Sequence, residues 1–400
     1  MRKDVDKILA KHGVGSMLLY SDSAKNVNMY YLTKFLAPDP FILLKQVDQD
    51  PLMVVKQMEV PRAQKESAVK NVHSYFDYDY IQTVKSASDP KTGETKFVAS
   101  VAKKELGTKE TIYVPPNLPV TLADALRHEG LKIKPMFDVL EKARETKENE
   151  EIENIKSVQK AVEEATSKAI ELIANAEVDT NETLFYRKSG KKETLTAGKV
   201  RSVFDHTFAD HGCVAEEETI IACGNKGSDP HYSGESKDIL KANQPIVLDV
   251  FPKSVKNRYV SDMTRTIVKG TASKTVRRMF ETVLQTKNAA MDAIKAGVLG
   301  SDMQSLCYDM FEKAGYQTVR GGKQISKGYV HGLGHGIGLE IHEGPSMGDF
   351  YKYPLEEHNV TSVEPGLYDP KIGGVRIEDM IEVTKKGCNN LTHMDIFLAV

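Results

Sequence analysis

Four hundred residues are more than one ordinary core holds, so two domains are expected. With 40% hydrophobic and 28% charged residues and a net charge of −2, the chain has the make-up of a soluble globular protein with no electrostatic call on nucleic acid or acidic membrane. No apolar run approaches the length of a membrane span, the charged start MRKDVDKILAKHG lacks the apolar centre of a signal peptide, and the scattered Cys213, Cys223, Cys307 and Cys388 form no CxxC pair.

That start reads as a short amphipathic helix, and the cysteines as free buried thiols of a cytoplasmic protein. Up to about residue 145, short apolar runs alternate with amphipathic stretches, which predicts an α/β domain. Its strands are expected at 16–20, 41–45, 52–56 and 111–114, and its helices at 5–12, 60–70, 95–104 and 122–129. The Lys-rich run 188–192 reads as solvated surface. A charged stretch, 141–151, leads into a long helix on which Ile152, Ile155, Val158, Val162, Ala165, Ala169 and Ile173 recur at steps of three and four. The domain boundary is placed just before it, giving domains 1–145 and 146–400. Further helices are expected at 197–210, 274–295 and 301–314. Strands are expected at 218–222, 245–251, 259–268, 360–364 and 374–383, so the second domain mixes helices with sheet.

Five segments of the second domain carry its chemistry. Asp249 interrupts the apolar run 244–251, and Asp262 sits in the strand-like run 259–266. A buried carboxylate needs a partner cation or a metal. A turn-prone stretch at 252–258 allows a hairpin to bring the two acids together. Either one alone is better explained as a strand acid bonded to Arg265 or to backbone amides. The third segment, HGLGHGIGLEIHE at 331–343, holds His331, His335 and His342 among glycines. Each glycine opposes a helix by about 1 kcal/mol relative to alanine. In extended chain His331 and His335 point the same way, and glycine admits close approach of backbone or ligand. Fourth, a strand ends at Glu364 before Pro365-Gly366. Fifth, in GGVRIED at 373–379, Arg376 and Glu378 alternate with Val375 and Ile377 and should share a face.

Two aspartates, two glutamates and an imidazole form an oxygen-rich set. It suits a pair of divalent ions such as manganese, cobalt, iron or zinc better than one structural zinc. Two such ions about 3.5–4 Å apart can share a hydroxide and polarise a carbonyl. A carboxylate beside them can move its proton, and nearby histidines can steady an oxyanion.

PHY at 230–232, LDV at 248–250, SDMTRT at 261–266, HGLGHGIGLEIHE at 331–343, VEPGLY at 363–368 and GGVRIED at 373–379 occur together and in order. In this the chain resembles the pita-bread metallopeptidases, a family that includes methionine aminopeptidase, prolidase and aminopeptidase P. The match covers residues from about 150 to the end. The resemblance implies an α/β N-terminal domain of creatinase type followed by an α+β pita-bread catalytic domain. It implies that Asp249 chelates one metal, that Asp262 and Glu378 bridge, and that His335 completes the other sphere. Glu364 would be both ligand and general base to a metal-bridging hydroxide. His231 and His342 would line the substrate side, and His331 the substrate carboxyl or prime side.

Methionine aminopeptidase lacks a counterpart to GGVRIED and usually lacks a large N-terminal domain, so the resemblance is to the proline-specific branch. That implies hydrolysis of Xaa-Pro bonds in dipeptides or at peptide N-termini. Arg376 and Tyr368 would stand near the metal ligands or the substrate carboxylate, and the enzyme would be a homodimer. Asp262 follows Asp249 by thirteen positions, slightly more than usual, which predicts a longer hairpin tip within 252–258. The N-terminal match is weaker, mainly NVNMYYLTKF at 26–35, and no site residue is assigned there. Competing readings are methionine-aminopeptidase-like specificity, metal-free chemistry of the creatinase kind, and a non-catalytic peptide-binding module. The last two usually lack several of the five ligands, all of which this chain has.

Overall fold

The Ser16–Ser21 strand is apolar on both faces, with Met17, Leu18 and Leu19 buried, and it forms the centre of a six-stranded mixed sheet. Phe41–Gln46 pairs antiparallel on one side of it, followed by Leu52–Val55 and Asn71–Ser74. Thr111–Val114 and Lys132–Pro135 lie parallel on the other side. The computed structural model describes residues 5–400. The opening helix is therefore described as Val5–Lys11, and the first four residues of the amphipathic start lie outside the described residues.

Most predicted elements of this unit occur within a residue or two, and the differences have local causes. The helix Pro90–Leu106 starts five residues before the predicted 95, because Asp89 accepts hydrogen bonds from the amides of Lys91 and Thr92 and Pro90 occupies the first turn. The helix Val60–Glu66 stops short of residue 70 because Ser67 is extended, and the chain then enters the Asn71–Ser74 strand. That strand and Lys132–Pro135 are short, polar sheet edges, so no apolar alternation announces them.

A second compact unit begins at Arg144, after a first that ends at Ala143. Its long helix, Asn149–Ala174, buries all seven residues of the predicted apolar face. Its N-terminus is closed by reciprocal bonds between Glu148 and Glu151. It packs on the helix Ala197–Asp210 and on an antiparallel sheet of Ile220–Cys223, Ile246–Val250 and Met263–Ile267, around one apolar core. The helices Lys274–Ala293 and Gly300–Lys313 pack over a second core. Beneath them are the hairpin Gly366–Asp369/Gly373–Arg376 and a five-stranded sheet containing Gly334–Gly336, Val360–Val363 and Asp379–Val383. The run 188–192 is the exposed tip of the hairpin Leu184–Lys188/Lys191–Thr194.

Two strand predictions need correction. Residues 374–383 do not form one strand. Gly373–Arg376 pairs with Gly366–Asp369, whereas Asp379–Val383 pairs with Val360–Val363, and the chain changes sheets at Ile377-Glu378. Residues 259–268 likewise shorten to Met263–Ile267, so Asp262 stands just ahead of the strand. The hairpin tip is not all turn: Pro252–Ser254 forms a strand with Cys213–Ala215.

Candidate active site

The four acids and the imidazole singled out by the sequence reach one cleft. Asp249 lies in the Ile246–Val250 strand opposite Thr264, and His335 is the middle residue of Gly334–Gly336. Asp262, Glu364 and Glu378 stand at strand ends, where the backbone leaves the ladder and the side chains can converge. The cleft has a volume of about 630 Å³ and is also lined by His231, His331, His342 and Arg376. Tyr368 does not line it. It is buried one layer back, where Arg376 Nη1 donates to its hydroxyl over 2.9 Å.

Ligand atoms of Asp262, His335 and Glu378 lie within 4.8 Å of one another. His335 Nε2 is 3.2 Å from Glu364 Oε1 and 3.8 Å from Asp262 Oδ2. Its Nδ1 faces the Gly336 carbonyl at 3.2 Å, which favours the proton on Nδ1 and turns Nε2 toward the acids. His331 is set the same way: Nδ1 bonds the Gly332 carbonyl at 2.7 Å, so Nε2 accepts from the Tyr368 hydroxyl at 2.9 Å. The rings of His335 and His342 meet edge to face with centroids 4.5 Å apart.

Two residues that the sequence reading passed over tie the acids together. Thr264 Oγ1 is 2.8 Å from both Asp249 Oδ1 and Glu378 Oε2, and accepts from Arg376 Nε at 3.1 Å. Its one proton serves one carboxylate at a time. Ser362 Oγ donates to Glu364 Oε1 at 3.1 Å and accepts from the amide of His335 at 3.0 Å. Each stands two residues from a predicted ligand, Asp262 or Glu364, so strand alternation was the available signal. Arg265, the partner first considered for the aspartates, turns away to Asp379. Asp249 is paired with Arg376 instead.

Three buried carboxylates and the half-buried Glu364 face one guanidinium here, and the charge does not balance. Burial, followed by the negative charge of their neighbours, pushes the Asp262 and Glu378 carboxyls well above the usual range. Burial also works to raise Glu364, but the bond to His335 and nearby positive groups bring it down to about 2. Burial opposes the proton on His335, yet Glu364 holds that pKa up at about 9. Asp262 Oδ1 and Glu378 Oε1 are buried without a hydrogen-bond partner. Orphaned, mutually repelling oxygens beside an imidazole nitrogen fit divalent cations, and the donor set suits hard to borderline ions. The fold and this site define a metallopeptidase.

Residues 153–385 match the model of "Metallopeptidase family M24", and residues 1–146 match the "Creatinase/Prolidase N-terminal domain". The chain belongs to this metallopeptidase family and joins a creatinase-type N-terminal domain to a pita-bread catalytic domain, the make-up of the metallo-exopeptidases it is similar to. A Xaa-Pro dipeptidase of Pyrococcus furiosus is 31% identical over 289 residues, covering 72% of this chain and 75% of the relative. A Xaa-Pro dipeptidase of Pyrococcus horikoshii is 28% identical over 98% of this chain and 96% of its own. The solved prolidase of Pyrococcus furiosus superposes with a TM-score of 0.74 at 26% identity, over 98% of this chain and 99% of that one. No helix among the described residues is long and apolar enough to cross a membrane.

Proposed function

We propose that the protein is a dinuclear exopeptidase that hydrolyses the bond between a first residue and a following proline, in dipeptides or at peptide N-termini. The observation that carries this reading is the convergence of Asp262, His335 and Glu378, with two partnerless carboxylate oxygens, beside Arg376 in a cleft open to peptide. Full-length similarity to a Xaa-Pro dipeptidase supports the proline in second position. Asp249, Asp262, His335, Glu364 and Glu378 would hold two divalent ions, manganese or cobalt before zinc or iron. When bound, such ions supply a Lewis acid for the carbonyl and make a water acidic near neutral pH.

The chain's own residues do the rest. Glu364 takes a proton from the attacking water and returns it to the departing proline nitrogen. His231 and His342, exposed on the cleft wall, donate to the carbonyl oxygen as it gains charge. Arg376 commits Nε–H to Thr264, its Nη1 protons to Tyr368 and the Pro230 carbonyl, and one Nη2 proton to Asp249. One N–H remains for the substrate carboxylate, beside His331. Tyr368 acts by holding His331 and Arg376 in place. The domains of this enzyme are taken as 1–145 and 146–400. A cytoplasmic homodimer is proposed with it, from the family resemblance and from four cysteines that are all free thiols.

The test is hydrolysis by the metal-loaded protein of Xaa-Pro dipeptides, Xaa-Pro-Yaa tripeptides and Met-Ala peptides, with the bound metal quantified. Turnover of dipeptides alone marks a prolidase, and of tripeptides and longer an aminopeptidase P. Cleavage of Met-Ala peptides without either overturns the proline assignment. Undiminished turnover after exhaustive chelation overturns the metal-dependent one.

A further inference from the structure

Residues 216–218 are three successive glutamates at a bend between the strands Cys213–Ala215 and Ile220–Cys223. Like charges in a row repel, and two of the three are answered locally. Glu216 pairs with the buried Lys253. Glu218 pairs with Arg201 Nη1 at 3.1 Å and accepts from Ser233 Oγ at 2.8 Å. Glu217, between them, is exposed and lines the cleft, and among the described residues no hydrogen bond or ion pair engages its carboxylate.

Its position determines what it meets. Ile220 pairs with Asp249, and the amide of Glu216 donates to the Phe251 carbonyl at 3.2 Å, so the glutamates lie beyond Asp249, next to Phe251. The charge of Glu217 acts on His342, whereas that of Arg376 acts on His331. The cleft thus has a cationic corner at Arg376, beside the neutral His331, and an anionic one at Glu217. A peptide whose terminal carboxylate lies toward Arg376 turns its first side chain to Phe251, Ile341 and Glu217. An apolar wall ending in a carboxylate suits a long methylene stem with a positive head. Of the six carboxylates lining the cleft, four would hold ions and Glu218 has Arg201, which leaves Glu217 for a ligand.

We infer that Glu217 sets the specificity for the first residue, and that the preferred substrates begin with lysine or arginine. This rests on the peptidase reading above and names its substrate class. The α-ammonium group, common to all substrates, would gain from Glu217 without any discrimination, and the experiment separates the two cases.

Arginyl-proline is compared with citrullyl-proline, and lysyl-proline with Nε-acetyllysyl-proline; each pair differs in charge more than in shape. The expected result is a kcat/KM about tenfold higher for each cationic member, a ratio near one in Glu217→Gln, and an inverted ratio in Glu217→Lys. Equal rates within both pairs for the wild-type protein overturn the proposal. So does a Glu217→Gln variant that slows every substrate by one factor, which would assign Glu217 to the α-ammonium. The same peptides, and arginyl-alanine against citrullyl-alanine, are also titrated calorimetrically onto the Glu364→Gln protein. A charge preference there, without turnover of any Xaa-Pro peptide by the wild type, would keep this inference while removing the proline reading.

Discussion

Arg265 donates from Nη2 to Asp379 Oδ1 over 2.9 Å and from Nη1 to the backbone carbonyl of Glu378 over 2.6 Å. Lys287, from the helix Lys274–Ala293, pairs with the other oxygen of Asp379. All three side chains are at most 3% exposed. Glu378 occupies the step between two sheets, where its amide donates to the Thr264 carbonyl over 3.1 Å, and this buried trio pins the residue beside it. Removing one member of such a cluster leaves charge without a partner, at a cost of about 3–5 kcal/mol. Asp379→Ala is therefore expected to lose stability on that scale in denaturant titration and to retain less metal. Unchanged stability would mean that Arg265 and Lys287 find other partners.

Glu364→Gln keeps the side chain's size and its contact with Ser362 while removing the base. Turnover is expected to fall by about two to four orders of magnitude, with the circular dichroism spectrum unchanged. Near-normal rates in a folded, metal-loaded variant would assign the base elsewhere.

The convergence of Asp249, Asp262, His335, Glu364 and Glu378 was legible because each is a charged or imidazole residue set in apolar or glycine-rich strand sequence. Strand parity carried more than was first read from it. Asp262 and Thr264 are two apart and both face the acids, whereas Arg265, an odd step from Asp262, points to the opposite side, toward Asp379. The change of sheet at Ile377-Glu378 was not legible. Alternation reports extended backbone, but which strand each half pairs with depends on residues far along the chain, here Gly366–Asp369 and Val360–Val363. Glu217 was hidden for another reason: three glutamates in a row look like solvated surface until the partners of the outer two are seen.

Asp262 and Glu378 make the effect of chelation depend on pH. Burial first, and neighbouring carboxylates second, hold both carboxyls well above their ordinary values. The fold then keeps protons that the unfolded chain has released. Their contribution to stability is complete below about pH 4, the unfolded value, and is lost as pH rises through the folded values. Divalent ions compete with protons for the same oxygens and relieve the repulsion. The difference in unfolding temperature between metal-loaded and chelated protein should therefore be wide at pH 8 and narrow toward pH 6. A gap that stays constant, or widens on acidification, would mean that these two carboxylates are not where the ions bind.

Gly336, next to His335, is a site where the backbone itself sets the geometry. A Cβ built on it would lie 2.1 Å from the carbonyl oxygen of Gly344, in the neighbouring strand Glu343–Met347. The obstacle is main chain rather than the end of a flexible side chain, so the two strands must part. Parting them moves the Gly336 carbonyl that orients His335 through Nδ1, and with it the nitrogen directed at Asp262 and Glu364. Gly336→Ala is expected to cost about 3 kcal/mol, at the upper end of ordinary overpacking. Metal affinity should fall more than the stability loss alone explains, because His335 is displaced as well as loosened. Isothermal titration with manganese alongside chemical unfolding separates the two effects. A variant with weaker stability but unchanged manganese affinity would show that His335 keeps its orientation without the tight strand contact, and that the glycine serves packing alone.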